Sequence, residues 1–488
     1  MQVTVTGEAS VSKVRAVPIY TPLEEVGAFQ CSNPVVEWVD AALPATFRNN
    51  LHGVPTDTPI YEKNGWTADA HLATAALLHR FDLRASFGKW MDDHVGAQTA
   101  TGAIPQIIPT PGWSTESGPA WSSSAVLIPW YLYREYGEIA TLERYAPMAR
   151  RYADDLLSHL RDDLWTGRTW GDWLAPGYMV PPEGMTPIGT LMTITALQHT
   201  AQILEELEED ASSYRDAAAR IGRRYHSQYF DPHSEHYAVE GVGYRQSLNI
   251  LPLAFGAVPP EWIASVRKIV TDDIELRTAG HLVCGALGAR HLVDVLTDAG
   301  RDDLALTILT NPTRPGWGQW FSDGERTLLE TWDADARSRN HYFLGSVDSW
   351  IQQRVGGLRL TQPGWRSFVV APLKDDRVTS ARISHQTPLG RAAVIWERGP
   401  GGWQLDVTVP DGASALVNLE GDSLALKPGQ HASGSNARRN DEPHHPRGGW
   451  ILTSTSTWTT VRFVPISADL DAPRTQVRLS SPAGCQRA

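Results

Sequence analysis

The sequence predicts a two-part protein, an (α/α)6 barrel in which six helical hairpins close into a toroid, followed by a C-terminal antiparallel β-sandwich. Tryptophans recur at positions 66, 121 and 173, a regular spacing that indicates a structural period of about 53 residues. Helical patterns fill the chain from about residue 33 to 354, which is room for six such periods. After Gly356-Gly357 the segments become short, β-branched and bounded by turns, as in a sandwich.

Four regions are predicted along the chain. Residues 1–32 are a β-strand remnant and linker, because Val3 and Val5 alternate and Val11 to Val17 again favours strand without enough partners for a sheet. Residues 33–355 form the barrel, 356–465 the β-sandwich and 466–488 a flexible tail. An open solenoid of helix pairs is the competing architecture for the barrel, but the internal repeats are too weak for it.

Individual elements follow from periodicity and turn signals. Helices are predicted at 69–83, 125–136, 138–159, 187–208, 212–227, 260–273, 281–298, 301–310 and 341–354. Strands are predicted at 367–371, 378–384, 392–397, 403–410, 415–419 and 457–465, with an exposed loop at 431–449.

Composition limits the possible partners. The 488 residues carry a formal net charge of −12, which argues against a nucleic-acid ligand because phosphate binding needs clustered Lys and Arg. No segment approaches the roughly 18 apolar residues of a membrane span, and the first residues lack the basic start of a signal peptide, so a cytoplasmic protein is expected.

No cofactor and no metal are expected. Cys31, Cys284 and Cys485 are too far apart for a ligand set or a disulfide framework, and the pair His444-His445 lacks a third ligand nearby. The 19 tryptophans instead favour a neutral, ring-shaped ligand, although most of them are expected to serve a large aromatic core.

The segment from Val54 to Asp69 is the first candidate for chemistry. It places Asp57, Glu62 and Asp69 close to Trp66, in a stretch where Pro and Gly prevent a continuous helix. A glycosidase needs a carboxylic acid to protonate the leaving oxygen and an aromatic face to hold the apolar side of a sugar ring. The alternative is that the aspartates only cap turns and helix starts.

A second fragment far along the chain repeats this combination. Glu330-Thr331-Trp332-Asp333 again sets a carboxylate beside a tryptophan, and Asn340-His341-Tyr342 follows. Between the two fragments lie Pro119-Ala120-Trp121 and Gly171-Asp172-Trp173-Leu174.

This ordered series of motifs resembles glycoside hydrolase family 78, the bacterial α-L-rhamnosidases, over about residues 28–465. The resemblance implies an inverting exo-hydrolase that releases terminal α-L-rhamnose from a rhamnose-containing glycoside or oligosaccharide. Glu62 would be the general acid, with Trp66 as an apolar neighbour that keeps it protonated, and Glu330 the general base. The implied substrate-binding residues are Asp57, Trp66, Asp69, Trp121, Trp173, Trp332 and His341.

Three departures from the family pattern bear on substrate preference. One residue fewer separates Asp57 from the acid, and Ser122 to Ser124 stand where many members place an Asp. Family members usually carry several β domains upstream, whereas about thirty residues precede the barrel in this chain.

Two other functions remain open at this point. One is a glycosidase for another deoxy sugar, or a polysaccharide lyase, on the same toroid. The other is a non-catalytic sugar-binding descendant, against which the retention of both Glu62 and Glu330 argues, because a binding protein needs no pair of opposed acids.

Overall fold

The structure is a computed structural model that describes residues 4, 6–8, 12, 13, 15, 17–400, 402–428, 449–455 and 458–464. The predicted strands around Val3, Val5 and Val11, and the predicted tail at 466–488, lie outside these residues, as does most of the loop predicted at 431–449. Within the described residues, no helix is both long and apolar enough to span a bilayer.

The first three quarters of the chain are mainly helical. After strand β1 (Gly27–Cys31), the helices are α1 (Pro34–Asn50), α2 (Thr67–Leu78), α3 (Arg84–Ala97), α4 (Pro119–Ser122), α5 (Ser124–Tyr136), α6 (Ile139–Ser158), α7 (Thr186–Glu206), α8 (Ser212–Tyr229), α9 (Gln246–Ala254), α10 (Ile263–Asp272), α11 (Ala286–Asp298), α12 (Asp302–Thr310), α13 (Trp317–Ser322) and α14 (Asp348–Trp350). Short strands β2 (Leu160–Arg161) and β3 (Leu164–Trp165) follow α6, and β4 (Phe230–Asp231), β5 (His236–Val239) and β6 (Gly243–Tyr244) follow α8.

These helices form two concentric rings. The inner ring runs α2, α5, α7, α9, α11 and the helical segment 343–355, which packs against both α11 and α2 and so closes the circle. Helices α1, α3, α6, α8, α10 and α12 lie outside them, each packed against inner neighbours. The predicted (α/α)6 barrel is therefore confirmed.

Burial separates the two rings. In α2, every residue except Ala75 is buried, as expected for a helix covered on all sides. In α8, the buried residues are Tyr214, Ala217, Ala218, Ile221, Gly222 and Tyr225, a single stripe at helical spacing. The all-round apolar character of the inner helices and the stripe of the outer ones fix which ring each helix occupies.

The C-terminal part is a sandwich of two sheets. Its strands are β7 (Leu358–Gln362), β8 (Ser367–Val370), β9 (Ser380–Thr387), β10 (Gly390–Gly399), β11 (Gly402–Thr408), β12 (Ser414–Leu419), β13 (Asp422–Leu426), β14 (Gly449–Thr455) and β15 (Trp458–Val464). The strand orders are β1-β9-β10-β11-β15-β14 and β13-β12-β8-β7. All pairs are antiparallel except β8 with β12, so the predicted sandwich is confirmed with one parallel pair.

Strand β1, which the sequence did not predict, lies at the end of the segment before the barrel. It pairs in antiparallel register with β9, from Gly27 opposite His385 to Cys31 opposite Ala381. Residues 27–31 thus supply one edge strand of the larger C-terminal sheet.

Buried polar groups join the barrel to the sandwich. Glu135 of α5 accepts hydrogen bonds from Trp365 Nε1 at 2.8 Å and from His385 Nε2 of β9 at 2.5 Å. Burial opposes the charge on Glu135, but the neighbouring His385 outweighs it and lowers the pKa of this carboxyl group. The two parts therefore share a buried, hydrogen-bonded polar contact.

Candidate active site

A pocket of about 250 Å³ lies at the end of the barrel where the inner helices begin. Residues near the N-termini of α2, α5 and α11 and of the 343–347 turn line it, together with the loops that precede them. Its lining is Asp57, Glu62, Trp66, Ala68, Asp69, Leu72, Trp113, Trp121, Trp170, Trp173, Ala286, Leu287, Glu330, His341 and Phe343.

Trp66 reaches the pocket through a close approach of two backbone segments. Gly65 accepts a hydrogen bond from Ile108 N at 2.8 Å, and a Cβ atom on Gly65 would lie 1.9 Å from the carbonyl oxygen of Ile108. Only glycine fits there, and α2 begins directly after Trp66. The Gly65-Trp66 pair therefore fixes the indole at the mouth of the barrel.

Asp57, Asp69 and His341 form a buried polar group on one side of the pocket. His341 Nε2 lies 2.5 Å from Asp69 Oδ1, and Asp57 Oδ1 accepts from Asn64 N at 2.8 Å. Burial, followed by the charge of Asp69, raises the pKa of Asp57 to about 7. Burial disfavours a charged His341, but Asp69, its hydrogen bond and Glu330 outweigh burial and raise the pKa of this imidazole.

Glu62 lies at the rim and is partly exposed. Trp66 Nε1 donates to Glu62 Oε2 at 2.8 Å, and the Arg337 guanidinium lies 3.6 Å from Glu62 Oε1. The indole thus presents its polar N–H to this carboxyl group, and not the apolar face that the sequence suggested. Trp66 positions Glu62 by hydrogen bonding.

Glu330 enters the same pocket on the loop between α13 and the 343–347 turn. Its N–H donates to the carbonyl of Ser338 at 3.0 Å, and the Ser338 hydroxyl lies 3.0 Å from that of Thr58. Since Thr58 belongs to the segment that carries Asp57 and Glu62, this contact ties together the two loops that bear the predicted acid and base.

Five tryptophans wall the pocket. Trp66 packs edge-on against Trp113, Trp121 and Trp170, with ring centroids 5.5, 6.5 and 5.9 Å apart. Trp170 and Trp173 lie 5.1 Å apart. Trp66 and Trp121 lie directly before the inner helices α2 and α5, and Trp173 lies in the loop that leads to the inner helix α7; all three line the pocket at the same end of the barrel.

Asp172, between Trp170 and Trp173, holds this wall in place. Its buried carboxylate accepts hydrogen bonds from the N–H groups of Gly285, Leu287 and Gly288 at 2.6, 2.9 and 3.0 Å, and from the Ser247 hydroxyl. These N–H groups belong to the first turn of α11, whose unpaired donors attract a carboxylate. The loop of Trp173 is thereby fixed to the helix across the pocket.

The predicted position of one aromatic residue is wrong. Trp332 does not line the pocket, because its ring stacks on Trp320 with centroids 4.6 Å apart and meets the edge of Trp317 at 5.0 Å. Both partners come from α13, a helix that the sequence did not predict. Trp332 is a core residue behind the loop of Glu330.

Several lining residues were not predicted from the sequence. Trp113 and Trp170 carried the same signal as the tryptophans that were selected, since both lie in loops before inner helices. Phe343 follows the His341 motif by two residues, whereas Leu72 and Leu287 became recognisable only once the inner ring was known. The serines 122–124 are buried, and their hydroxyls contact Ile104 O, Pro119 O and His94.

Among the residues that the structure describes, no cluster of three or more His, Cys, Asp or Glu could hold a metal ion. The pocket itself combines four carboxyl groups, one imidazole and an aromatic wall. Such a pocket suits a neutral, polyhydroxylated ring, because carboxylates accept from hydroxyl groups and indoles cover the apolar face.

A six-hairpin toroid with paired carboxylates in an aromatic pocket defines a class of sugar-hydrolysing domains, and comparison with known proteins specifies the family. The model of the bacterial alpha-L-rhamnosidase 6 hairpin glycosidase domain matches residues 24–355, and that of the bacterial alpha-L-rhamnosidase C-terminal domain matches residues 357–434. The chain belongs to the bacterial α-L-rhamnosidase family, as its resemblance to glycoside hydrolase family 78 implied.

Several relatives share most of this chain. An alpha-L-rhamnosidase of Streptomyces avermitilis is 28% identical over 89% of this chain and 42% of its own length, and one of Formosa agariphila is 25% identical over 84% and 46%. The chain therefore spans less than half the length of these curated relatives.

Solved structures agree in fold. The alpha-L-rhamnosidase from Dictyoglumus thermophilum superposes with a TM-score of 0.78 at 28% identity, covering 82% of this chain and 47% of that chain. The Streptomyces avermitilis enzyme, in a complex with L-rhamnose, gives a TM-score of 0.76 at 28% identity, with 82% and 39% covered.

Proposed function

We propose that this protein is an exo-acting, inverting α-L-rhamnosidase that releases terminal rhamnose from a glycoside. The observation that carries the proposal is that Glu62 and Glu330, on two loops joined through Ser338 and Thr58, line one tryptophan-walled pocket. The family and the L-rhamnose bound to the Streptomyces avermitilis relative support the choice of sugar.

The proposed mechanism is a single displacement. Glu62 donates its proton to the glycosidic oxygen as the bond to the anomeric carbon breaks, and Glu330 removes a proton from the water that attacks the opposite face. The products are the free aglycone alcohol and β-L-rhamnose. Glu62 becomes a carboxylate, Glu330 a carboxylic acid, and a proton exchange with solvent restores both.

The remaining groups would bind the sugar. Asp57, Asp69 and His341 supply acceptors and a donor for ring hydroxyls, while the indoles cover the apolar face. The pocket volume of about 250 Å³ suits a single ring and thus removal of a terminal sugar. Leu72, Leu287 and Phe343 provide apolar surface for the C6 methyl group that distinguishes rhamnose from other hexoses.

The test is hydrolysis of p-nitrophenyl α-L-rhamnoside beside a panel of other aryl glycosides. We expect release of nitrophenol from the rhamnoside alone. Cleavage of a different glycoside at the higher rate would contradict the choice of sugar. An ultraviolet-absorbing unsaturated product from a polysaccharide would indicate a lyase, and binding of rhamnose without turnover would indicate a sugar-binding protein.

A further inference from the structure

The surface around Glu62 is where the leaving group must lie, because the acid has to reach the glycosidic oxygen. Arg337 contacts Glu62 there, and Trp113 lines the same pocket as Glu62. Tyr61 and Trp113 are each 48% exposed. Arg337 lies over Tyr61, with its guanidinium carbon 4.6 Å from the centre of the Tyr61 ring.

Arg337 is available for a ligand. Its side chain is 60% exposed and its only ionic contact within the described residues is Glu62, at 3.6 Å. No hydrogen bond is formed by its guanidinium within that part of the chain, whereas Arg339 on the same loop pairs with Glu325 and donates to Ala334 O. Within the described residues, the five N–H donors of Arg337 therefore lie near Glu62 at the rim of the pocket without an acceptor at hydrogen-bonding distance.

The negative charge of the pocket makes Arg337 the group that decides whether an anionic leaving group can bind. Asp57, Glu62, Asp69 and Glu330 line the site, so an anionic group of a substrate is repelled unless a cation holds it away from them. A guanidinium binds a carboxylate through two parallel hydrogen bonds, which fixes both position and orientation. Trp113, which lines the pocket and is half exposed, adds an aromatic surface on which a second sugar ring can stack.

We propose that Arg337 selects rhamnosides whose leaving group is a uronic acid, by binding the carboxylate of that second sugar. This inference rests on the proposed function and specifies its substrate class. Arg337 is thus a specificity-determining residue and takes no part in proton transfer.

The direct test compares two disaccharides that differ in one group, α-L-rhamnosyl-(1→4)-D-glucuronic acid and α-L-rhamnosyl-(1→4)-D-glucose. We expect kcat/KM to favour the acid by about ten-fold, the size of effect usual for a charge-assisted hydrogen-bonded pair. This preference should shrink when ionic strength rises from about 0.05 to about 0.5 M, because salt screens an exposed pair. Equal rates, or a preference for the glucoside, would overturn the proposal.

Two variants locate the effect. Arg337→Gln should abolish the preference for the acid, measured as the ratio of kcat/KM for the two disaccharides in the same variant. The matched control is Arg168→Gln, which removes a cation that is 85% exposed and pairs with Glu116 at 3.7 Å, on the loops of Trp170 and Trp113. Retention of the preference in Arg337→Gln, or its loss in Arg168→Gln, would overturn the assignment to Arg337.

Failure of the proposed function is recognised separately. The aryl rhamnoside reports rhamnosidase activity without any uronic acid, so its cleavage combined with a flat disaccharide ratio rejects only the inference about Arg337. If no rhamnoside is cleaved, calorimetric titration with D-glucuronate and D-glucose shows whether Arg337 binds the carboxylate of a uronic acid. Binding of glucuronate that Arg337→Gln removes would support the acid site, and equal behaviour of both proteins would reject it.

Discussion

At the scale of single residues, Asp57 connects stability with function. Burial and the charge of Asp69 raise the pKa of this carboxyl group from 3.8 to about 7, so the folded state holds its proton more tightly than the unfolded chain. The unfolded chain therefore releases that proton first, and the folded state loses stability as pH rises between these two values.

Asp57→Asn should remove the loss of stability that comes from ionising this buried carboxyl group, and it should keep the hydrogen bond from Asn64. We expect the free energy of unfolding to rise by about 1–3 kcal/mol at pH 8 and to change little at pH 4, while kcat/KM for the aryl rhamnoside falls. Thermal melting at both pH values measures it, with the exposed Asp411→Asn as the control. The explanation would be contradicted if the change in unfolding free energy caused by Asp57→Asn were less favourable at pH 8 than at pH 4.

Glu62 and Glu330 carry the proposed proton transfers. Glu62→Gln and Glu330→Gln should each lower kcat by a factor on the order of 10² or more, without lowering the melting temperature, because each removes one acid–base group and keeps the shape. Steady-state kinetics with the aryl rhamnoside gives the result, and the exposed Glu240→Gln serves as control. Full turnover in either variant would exclude that residue from the mechanism.

The sequence predicted the pocket residues that belong to contiguous motifs. One segment contains Asp57, Glu62, Trp66 and Asp69. Trp121 and Trp173 lie in other segments that also precede inner helices. Trp332 could not be assigned in this way, because its environment depends on Trp317 and Trp320 of a helix with no recognisable pattern. A Trp beside a carboxylate looks the same whether it faces the pocket or the core.

At the scale of elements, the loop that carries Trp170 and Trp173 depends on Asp172. Asp172→Ala would leave four donors without their acceptor, among them the N–H groups of Gly285, Leu287 and Gly288. We expect a loss of about 2–4 kcal/mol of unfolding free energy and a higher KM, since the indole wall is no longer fixed to α11.

Asp172→Asn is the matched variant, because its Oδ1 atom still accepts from the first turn of α11. It should recover part of the stability and part of the binding that Asp172→Ala loses. Chemical denaturation and KM for the aryl rhamnoside measure both effects. Unchanged KM in Asp172→Ala would show that the wall does not need this anchor.

Helices with one sustained apolar periodicity were predicted correctly. Elements that are short, polar or interrupted by proline were missed. The patterns at 138–159 and 187–208 correspond closely to α6 and α7. Helices α3 and α9 were not predicted, since α3 is rich in polar residues and α9 has nine residues with Pro252 inside it. Strand β1 was missed because its partner β9 lies about 350 residues further along the chain.

At the scale of the whole molecule, the barrel and the sandwich are coupled through Glu135. Glu135→Ala would leave His385 and Trp365 without their buried acceptor, so we expect a loss of about 3–5 kcal/mol. The control is Glu206→Ala, which removes an exposed carboxylate of the same barrel that accepts a hydrogen bond from the Tyr133 hydroxyl. It should lower the free energy of unfolding by about 1 kcal/mol or less. Equal losses in the two variants, measured by urea denaturation, would contradict a structural role for the contact.

The overall architecture was predictable because it rests on the period of the tryptophan loops and on the change of pattern after Gly356-Gly357. The pairing of β1 with the C-terminal sheet, and the contact of Ser338 with Thr58, join segments hundreds of residues apart and leave no local signal. Of these two contacts, that of Ser338 with Thr58 ties together the loops that carry Glu62 and Glu330 at the pocket.

We propose that Glu62 and Glu330 act from opposite faces of the sugar, with water entering beside Glu330. Proton NMR of the first minutes of p-nitrophenyl α-L-rhamnoside hydrolysis tests it most directly, before mutarotation mixes the anomers. Inversion requires that β-L-rhamnose appears first and α-L-rhamnose only later. Appearance of the α anomer first would mean a covalent intermediate and retention of configuration, and would contradict the proposed roles of both carboxyl groups.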